Sequence, residues 1–342
     1  MITANKRFLV TGAAGFIGFH ICKRLLEDNI PVIGMDNLNF YYDPSLKKAR
    51  LAILEGYRDF TFKCLDMADR KGMESLFEEN DPQVVINLAA QAGVRYSVTN
   101  PHIFIDSNIN GFLNVLEGCR KKPVEHLVFA SSSSVYGLNR KMPFSEKDPA
   151  DHPVSLYGAT KKANELMAHS YSHLYGIPVT GLRFFSVYGP WGRPDMAYYK
   201  FTRAILQGDP IHLYNNGNMK RDFTYIDDVV EAVIRLIGHP PETKADWDGT
   251  DISSSSAPCR IFNVGNNDPV ELERLVVILE DHLGRKAIKK LLPMQHGDVA
   301  ITCADAGGLY RAVGFKPETT LEEGLGQFVE WYLETQIQNP SS

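Results

Sequence analysis

The chain has 342 residues, 44% of them hydrophobic, and a formal net charge of −5, which gives room for a sizeable core and two domains. Charges of both signs are spread along it, so nothing in the balance points to nucleic acid or a membrane surface, and no apolar run reaches the ~20 residues that span a bilayer. The five cysteines, Cys22, Cys64, Cys119, Cys259 and Cys303, are odd in number and far apart; they make neither a metal cluster nor a redox pair, and reduced buried thiols in a cytoplasmic protein without a metal are expected.

In chain order, "MITANKRFLVTGAAGFIG" reads as a buried first strand running into a glycine turn, not a signal peptide. Phe8-Leu9-Val10 is that strand, and an amphipathic helix follows to about Glu27. "PVIGMD", "FTFKCLD", "QVVINLAA", "HLVFASSS" and "PVTGLRFFSVYG" are strands two to six. Strands separated by helical segments imply βαβ units. The predicted fold is α/β: a Rossmann-type doubly wound parallel sheet with a smaller C-terminal α/β substrate-binding lobe. Residues 1–185 are assigned to the nucleotide-binding domain and 186–342 mainly to the lobe, with segments interleaved. Pro240–Pro258, poor in apolar residues, reads as a mobile insertion, and the tail "QNPSS" as frayed.

Gly12, Gly15 and Gly18, spaced GxxGxxG, directly follow the first strand and open a helix. A helix N-terminus offers free N–H groups and a partial positive charge to a diphosphate, and a β-carbon at the turn would block the approach. Asp36, ending strand two, is placed to accept hydrogen bonds from ribose hydroxyls and to repel a 2′-phosphate, so NAD is preferred to NADP. Asp66, after strand three, reads either as an adenine contact or as a helix N-cap. The dinucleotide is expected to lie along Gly12, Gly15, Phe16, Ile17, Gly18, Asp36, Asn37, Asp66, Met67, Leu88, Ala89 and Ala90.

"SLYGATK" holds Tyr157 and Lys161 one helical turn apart, on one face. A phenol titrates near ~10 in water, and a nearby cation favours its ionised form. Lys161 is expected both to bind the nicotinamide ribose and to lower the Tyr157 pKa. Upstream, Ser131–Ser134 end strand five, where a serine can share a hydrogen bond with the hydroxyl that Tyr157 deprotonates.

The order TGxxGxxG, Asp36, SSSSVYG, YxxxK is identified with the extended short-chain dehydrogenase/reductase family, over nearly the whole chain. "NFYYDPSLKKARLAIL", "NLAAQAGVRYS" and "RFFSVYGPWGRPDMA" are similar to the nucleotide-sugar 4-epimerases within it, and most to the UDP-glucuronate 4-epimerase family. The resemblance implies a tightly held NAD, a UDP-sugar substrate and a homodimer joined through helices. It makes Ser132, with Tyr157 and Lys161, the catalytic set. It places Ser133, Ser134 and Ser186 at a sugar carboxylate and Arg193 near the same end. Arg221 falls on the diphosphate, Asp298 on the uridine ribose, and Asn110 at the edge of the nucleotide site or in a structural role. Galactose epimerases carry arginine where this chain has Gln295, which counts against a simple UDP-galactose activity.

The expected reaction is interconversion of UDP-glucuronate and UDP-galacturonate through a 4-keto sugar. "SSSSVYG" lacks the extra acid of the related dehydratases and decarboxylases. Alternatives on the same frame are a 4-epimerase of UDP-N-acetylhexosamines, a UDP-glucuronate decarboxylase and, most distant, a non-catalytic NAD-sensing module.

Overall fold

The computed structural model describes residues 6–338. Its strands in chain order are β1 (Phe8–Thr11), β2 (Val32–Asp36), β3 (Phe60–Cys64), β4 (Val84–Asn87), β5 (His126–Ser132), β6 (Val179–Phe184), β7 (Ser186–Tyr188), β8 (Pro210–Leu213), β9 (Lys220–Tyr225), β10 (Cys259–Val264), β11 (Pro269–Glu271) and β12 (Ile288–Leu291). Seven of them form one sheet in the order β10-β6-β5-β4-β1-β2-β3, every pair parallel. Strand order reverses between β1 and β4, and the crevice at that switch point is where such sheets take ligands.

The central strands are buried on both faces, so their sequences are nearly continuous apolar runs rather than alternations. Along β1, Phe8 and Val10 join one hydrophobic cluster and Leu9 the other, the period-two signature of a strand sandwiched between helical layers. β3, at the edge, buries none of its residues fully.

The two chain segments interleave. β10 comes from the second segment yet pairs with β6 in the first sheet, Cys259 opposite Val179 through Val264 opposite Phe184. "PVTGLRFFSVYG" splits in two: β6 stays in the large sheet, while β7 leaves it after Phe185 to pair with β9, which in turn pairs antiparallel with β11. β8 and β12 make a small parallel pair. These short strands, with helices Ala197–Gln207, Leu272–Leu283 and Leu321–Gln338, build the second lobe.

Two expectations need correction. The 240–258 segment is only half exposed chain: Ser253, Ser254 and Ser255 are buried. Asp251 takes the Ser253 N–H and hydroxyl, His169 Nε2 lies 3.0 Å from Ser255 Oγ, and Ser254 bridges Arg260. Local polar partners replace the apolar contacts that composition alone found missing. Among the cysteines, Cys22, Cys119, Cys259 and Cys303 are buried and free, but Cys64 is exposed because it ends the edge strand. The tail expected to fray lies, from residue 339, outside the described residues. Among the described residues no helix is long and apolar enough to cross a membrane, and no group of three or more His, Cys, Asp or Glu could hold a metal.

Candidate active site

The carboxyl ends of the central strands open onto a cavity of about 230 Å³. Its floor is the glycine turn. Gly12 has φ +73°, and a Cβ there would stand 2.8 Å from Ala89 N; a Cβ on Gly18 would stand 2.1 Å from Gly12 O. The helix Phe16–Glu27 therefore starts hard against the turn, and no side chain caps its first N–H groups. Phe16, Ile17, Met67, Leu88, Ala89 and Ala90 line the same space, as do Gly15, Asn37 and Asp66. Asp36 is buried at the end of β2, where its Oδ1 accepts Leu38 N at 2.8 Å and Lys47 Nζ at 3.2 Å. Asp66 closes a local turn by accepting Ala68 N at 2.8 Å and takes Asn37 Nδ2 at 2.8 Å. The helix cap, the alternative reading of Asp66, is supplied by Asp69, which accepts Gly72 N. A main-chain cradle that a single β-carbon would fill, free N–H groups at one end and buried carboxylate at the other fit a dinucleotide.

Ser155 caps the helix Leu156–Tyr175 by accepting Gly158 N at 3.1 Å. Tyr157 and Lys161 then project into the cavity wall from adjacent turns, as their spacing requires. Lys161 is buried, its Nζ donates to Ala130 O at 2.8 Å, and burial pushes its pKa down to about 8. Burial holds the Tyr157 phenol above its ordinary range, while a hydrogen bond with Ser132 and the charge of Arg193 pull it down. Arg193 is one cation acting on Tyr157, and Asp195 beside it opposes that pull. Lys161 shares the cavity with Tyr157 and spends one donor on the strand carbonyl of Ala130.

Ser132, at the end of β5, is buried, and its Oγ accepts Ser134 N at 3.2 Å. Ser133 and Ser134 begin a 3-10 turn through Tyr136. Ser131 points away, donating to Glu165 Oε1 at 2.7 Å; Glu165 is clamped by Arg183 at 2.8 and 2.9 Å. Asn110 is corrected by two residues. It is exposed, whereas Asn108 is buried in a wide helical turn (Ile105–Asn110) and tied to Gln91 N, Gln91 O and Thr160 Oγ1. That single π-type turn shifts the inward face, which a regular 3.6 period does not anticipate.

Ser132 and Tyr157 also border a second cavity, of about 760 Å³, between the lobes. Ser133, Ser134, Ser186, Arg193, Arg221 and Asp298 all line it. Arg193 makes a double contact with Asp195 at 3.0 and 2.6 Å, and Tyr41 donates to Asp195 at 3.1 Å. Arg221 donates to Asp298 Oδ1 at 2.8 Å and to Ala300 O at 3.1 Å.

Sequence reasoning missed Tyr41, Asp195, Lys47 and Arg50. The last two had a signal. Lys47, Arg50, Leu51 and Leu54 share the inward stripe of the helix Pro44–Glu55, and cations on an apolar stripe mark a built polar site. Arg50 is fully buried and donates to Ala14 O at 2.9 Å, Tyr42 Oη at 2.9 Å and Trp191 O and Gly192 O. It joins the glycine turn to the Gly189–Gly192 loop of the second lobe.

A model of the NAD dependent epimerase/dehydratase family matches residues 8–252. The chain belongs to that family. Among relatives in this epimerase/dehydratase family, the probable UDP-glucuronate 4-epimerase of Rhizobium meliloti (strain 1021) is 50% identical over 329 residues, 95% of this chain and 96% of that one. UDP-glucuronate 4-epimerase 1 of Arabidopsis thaliana is 49% identical over 330 residues, 95% of this chain and 76% of that one. The crystal structure of UDP-glucuronic acid 4-epimerase from Bacillus cereus, in complex with UDP-glucuronic acid and NAD, superposes with a TM-score of 0.86 at 30% identity, covering 96% of this chain and 99% of that one.

Proposed function

We propose that this protein is an NAD-dependent epimerase that inverts C4 of UDP-glucuronate to give UDP-galacturonate, reversibly. The observation that carries the reading is the meeting of two cavities at a shared wall that carries the hydroxyls of Tyr157 and Ser132. NAD, when bound, takes the C4 hydride and gives it back to the opposite face of the sugar, so no second substrate is needed.

The chain's own residues do the rest. Gly12, Gly15 and Gly18 let the backbone approach the dinucleotide diphosphate, with Phe16 and Ile17 starting the helix behind it. Asp36 and Asn37 hold the adenosine ribose, Asp66 and Met67 the adenine end, and Leu88, Ala89 and Ala90 the middle. Lys161 offers its remaining donors to the nicotinamide ribose. Tyr157 takes the proton from the C4 hydroxyl and returns it after the 4-keto sugar has turned over; Ser132 shares the hydrogen bond that positions that oxygen. Arg221 and Asp298 hold the UDP end while the sugar turns.

The intermediate is a β-keto acid, which loses CO2 when its C5–C6 bond aligns with the carbonyl π system. Ser133, Ser134 and Ser186 are small neutral donors able to hold the C6 carboxylate out of that alignment, with Arg193 at the same end. No acidic residue stands in Ser132–Tyr136 to repel it.

The protein works as a homodimer in the cytoplasm. Supporting the dimer, Leu166 and Leu174 stand 60% and 66% exposed two turns apart on the helix Leu156–Tyr175, and the helix packed against it carries exposed Leu113. Supporting the compartment, Cys64 is an exposed free thiol.

Incubation of purified protein with UDP-glucuronate, followed by NMR of the sugar protons, is expected to show UDP-galacturonate. A UDP-pentose as main product, or turnover only of UDP-N-acetylhexosamines, would replace this reading with its neighbour.

A further inference from the structure

The second cavity is bounded by cations from both lobes. Arg221 stands at the start of β9 in the second lobe; Arg95 belongs to the short helix Val94–Thr99 that follows β4 in the first. Both reach one carboxylate: Asp298 Oδ1 takes Arg221 at 2.8 Å, and Oδ2 takes Arg95 at 3.3 Å. The Arg95 guanidinium also lies over the Tyr214 ring, 4.6 Å from its centroid. The loop bearing Asp298 comes down on the same place: Gly297 has φ +78°, and a Cβ there would meet Val94 and Val154 O, each at 3.4 Å. Lys200 and Arg203 line the cavity as well. The Lys200 ammonium is held below its usual range, first by burial, with Asp195 opposing and Arg95 and Arg203 adding repulsion. One carboxylate thus faces two arginines, with two further cations nearby and Asp195 already engaged by Arg193.

We propose that Arg95 is a substrate-binding residue, reaching across the cleft to form with Arg221 a two-arginine clamp on the diphosphate of the UDP-sugar. The proposal rests on the UDP-sugar reading above and adds a ligand from the opposite lobe. A planar guanidinium with five donors can keep one edge on Asp298 and turn another to phosphate oxygens, which an ammonium cannot do. Because the two arginines come from different lobes, gripping one diphosphate also ties the lobes together while the sugar turns. Arg95 is a binding group, not a catalytic one: Tyr157, not Arg95, borders both cavities.

Calorimetry with UDP and with uridine tests this on the NAD-loaded protein. Arg95→Met is expected to weaken UDP binding by roughly 10- to 100-fold, the range of a lost charge-assisted hydrogen bond, and to leave uridine binding unchanged. Arg95→Lys restores part of the UDP affinity. KM for UDP-glucuronate rises in parallel with kcat nearly constant, and NAD content and Tm stay at wild-type values because the Arg95–Asp298 pair is half exposed. Equal UDP affinity in wild type and Arg95→Met, with wild type active, overturns the clamp and leaves the epimerase reading intact. An equal loss for uridine and UDP also overturns it, since the contact would then lie on the nucleoside. Absence of UDP binding in wild type removes the reading and the clamp together.

Discussion

The two cavities that meet at Tyr157 are built from different materials. The first is built on main chain, a glycine turn, an uncapped helix start and the ends of parallel strands, with Asp36, Lys47, Asp66 and Lys161 set around it. The second is made of side chains from both lobes, with Arg95, Arg193, Lys200, Arg203 and Arg221 set against Asp195, Asp209 and Asp298. A backbone cradle is fixed when the sheet folds, so it suits a ligand that stays bound. A side-chain cleft between lobes can rearrange, so it suits a ligand that enters, turns over and leaves. The difference teaches how one fold separates a resident redox group from an exchanging substrate.

The sharpest break is at the shared wall. Tyr157→Phe removes the proton carrier without touching either cradle, so kcat is expected to fall by about 10²–10⁴-fold with NAD content and UDP affinity retained. Steady-state kinetics beside calorimetry checks this, and an unaltered kcat would sink the assignment. Next comes the main-chain cavity alone. Gly18→Ala places a methyl 2.1 Å from Gly12 O; NAD retained through gel filtration is expected to drop sharply and stability to fall by about 1–3 kcal/mol, measured by ultraviolet spectra and thermal melts. In the side-chain cavity, Ser133→Ala and Ser186→Ala are expected to leave NAD content alone and to raise the UDP-pentose by-product several-fold. Product ratios unchanged in both variants would show that the serines do not steer the carboxylate.

An effect that is absent at neutral pH distinguishes the shared scaffold from either cavity. His126, buried between Ile237 O at 3.2 Å and Thr180 Oγ1 at 2.8 Å, has its pKa lowered by burial to about 4. The unfolded chain protonates near 6.5, so it binds more protons than the folded one between about 6.5 and 4. Stability from this group is present above that window and is lost as pH falls through it, by roughly 3 kcal/mol at pH 4. Urea melts of His126→Gln against wild type should show a shallower acid decline in the variant.

Much of the first cavity could be read in one dimension. Many of its residues fall within a few positions of strand ends, and a glycine spacing, a strand-terminal acid and a YxxxK pair are local signals. Lys47 and Arg50 are legible in "SLKKARL" only as cations on the inward stripe of a helix, a signal that family likeness does not carry. Asn108 escaped because one wide helical turn shifts the face by a register that no periodicity reveals.

The order of apolar runs, glycines and the YxxxK pair, by itself, determined the βαβ pattern, the diphosphate cradle and the tyrosine at its lip, because side-chain period and turn chemistry act between residues close in sequence. Only the folded chain decided that β10 returns to the first sheet and that the Arg193–Asp195 pair stands close enough to act on the phenol. It also decided that Arg95 and Arg221, 126 positions apart by subtraction of their numbers, share Asp298. Those outcomes depend on which segments pack across the cleft, and electrostatic forces act over distances in space that sequence separation does not encode.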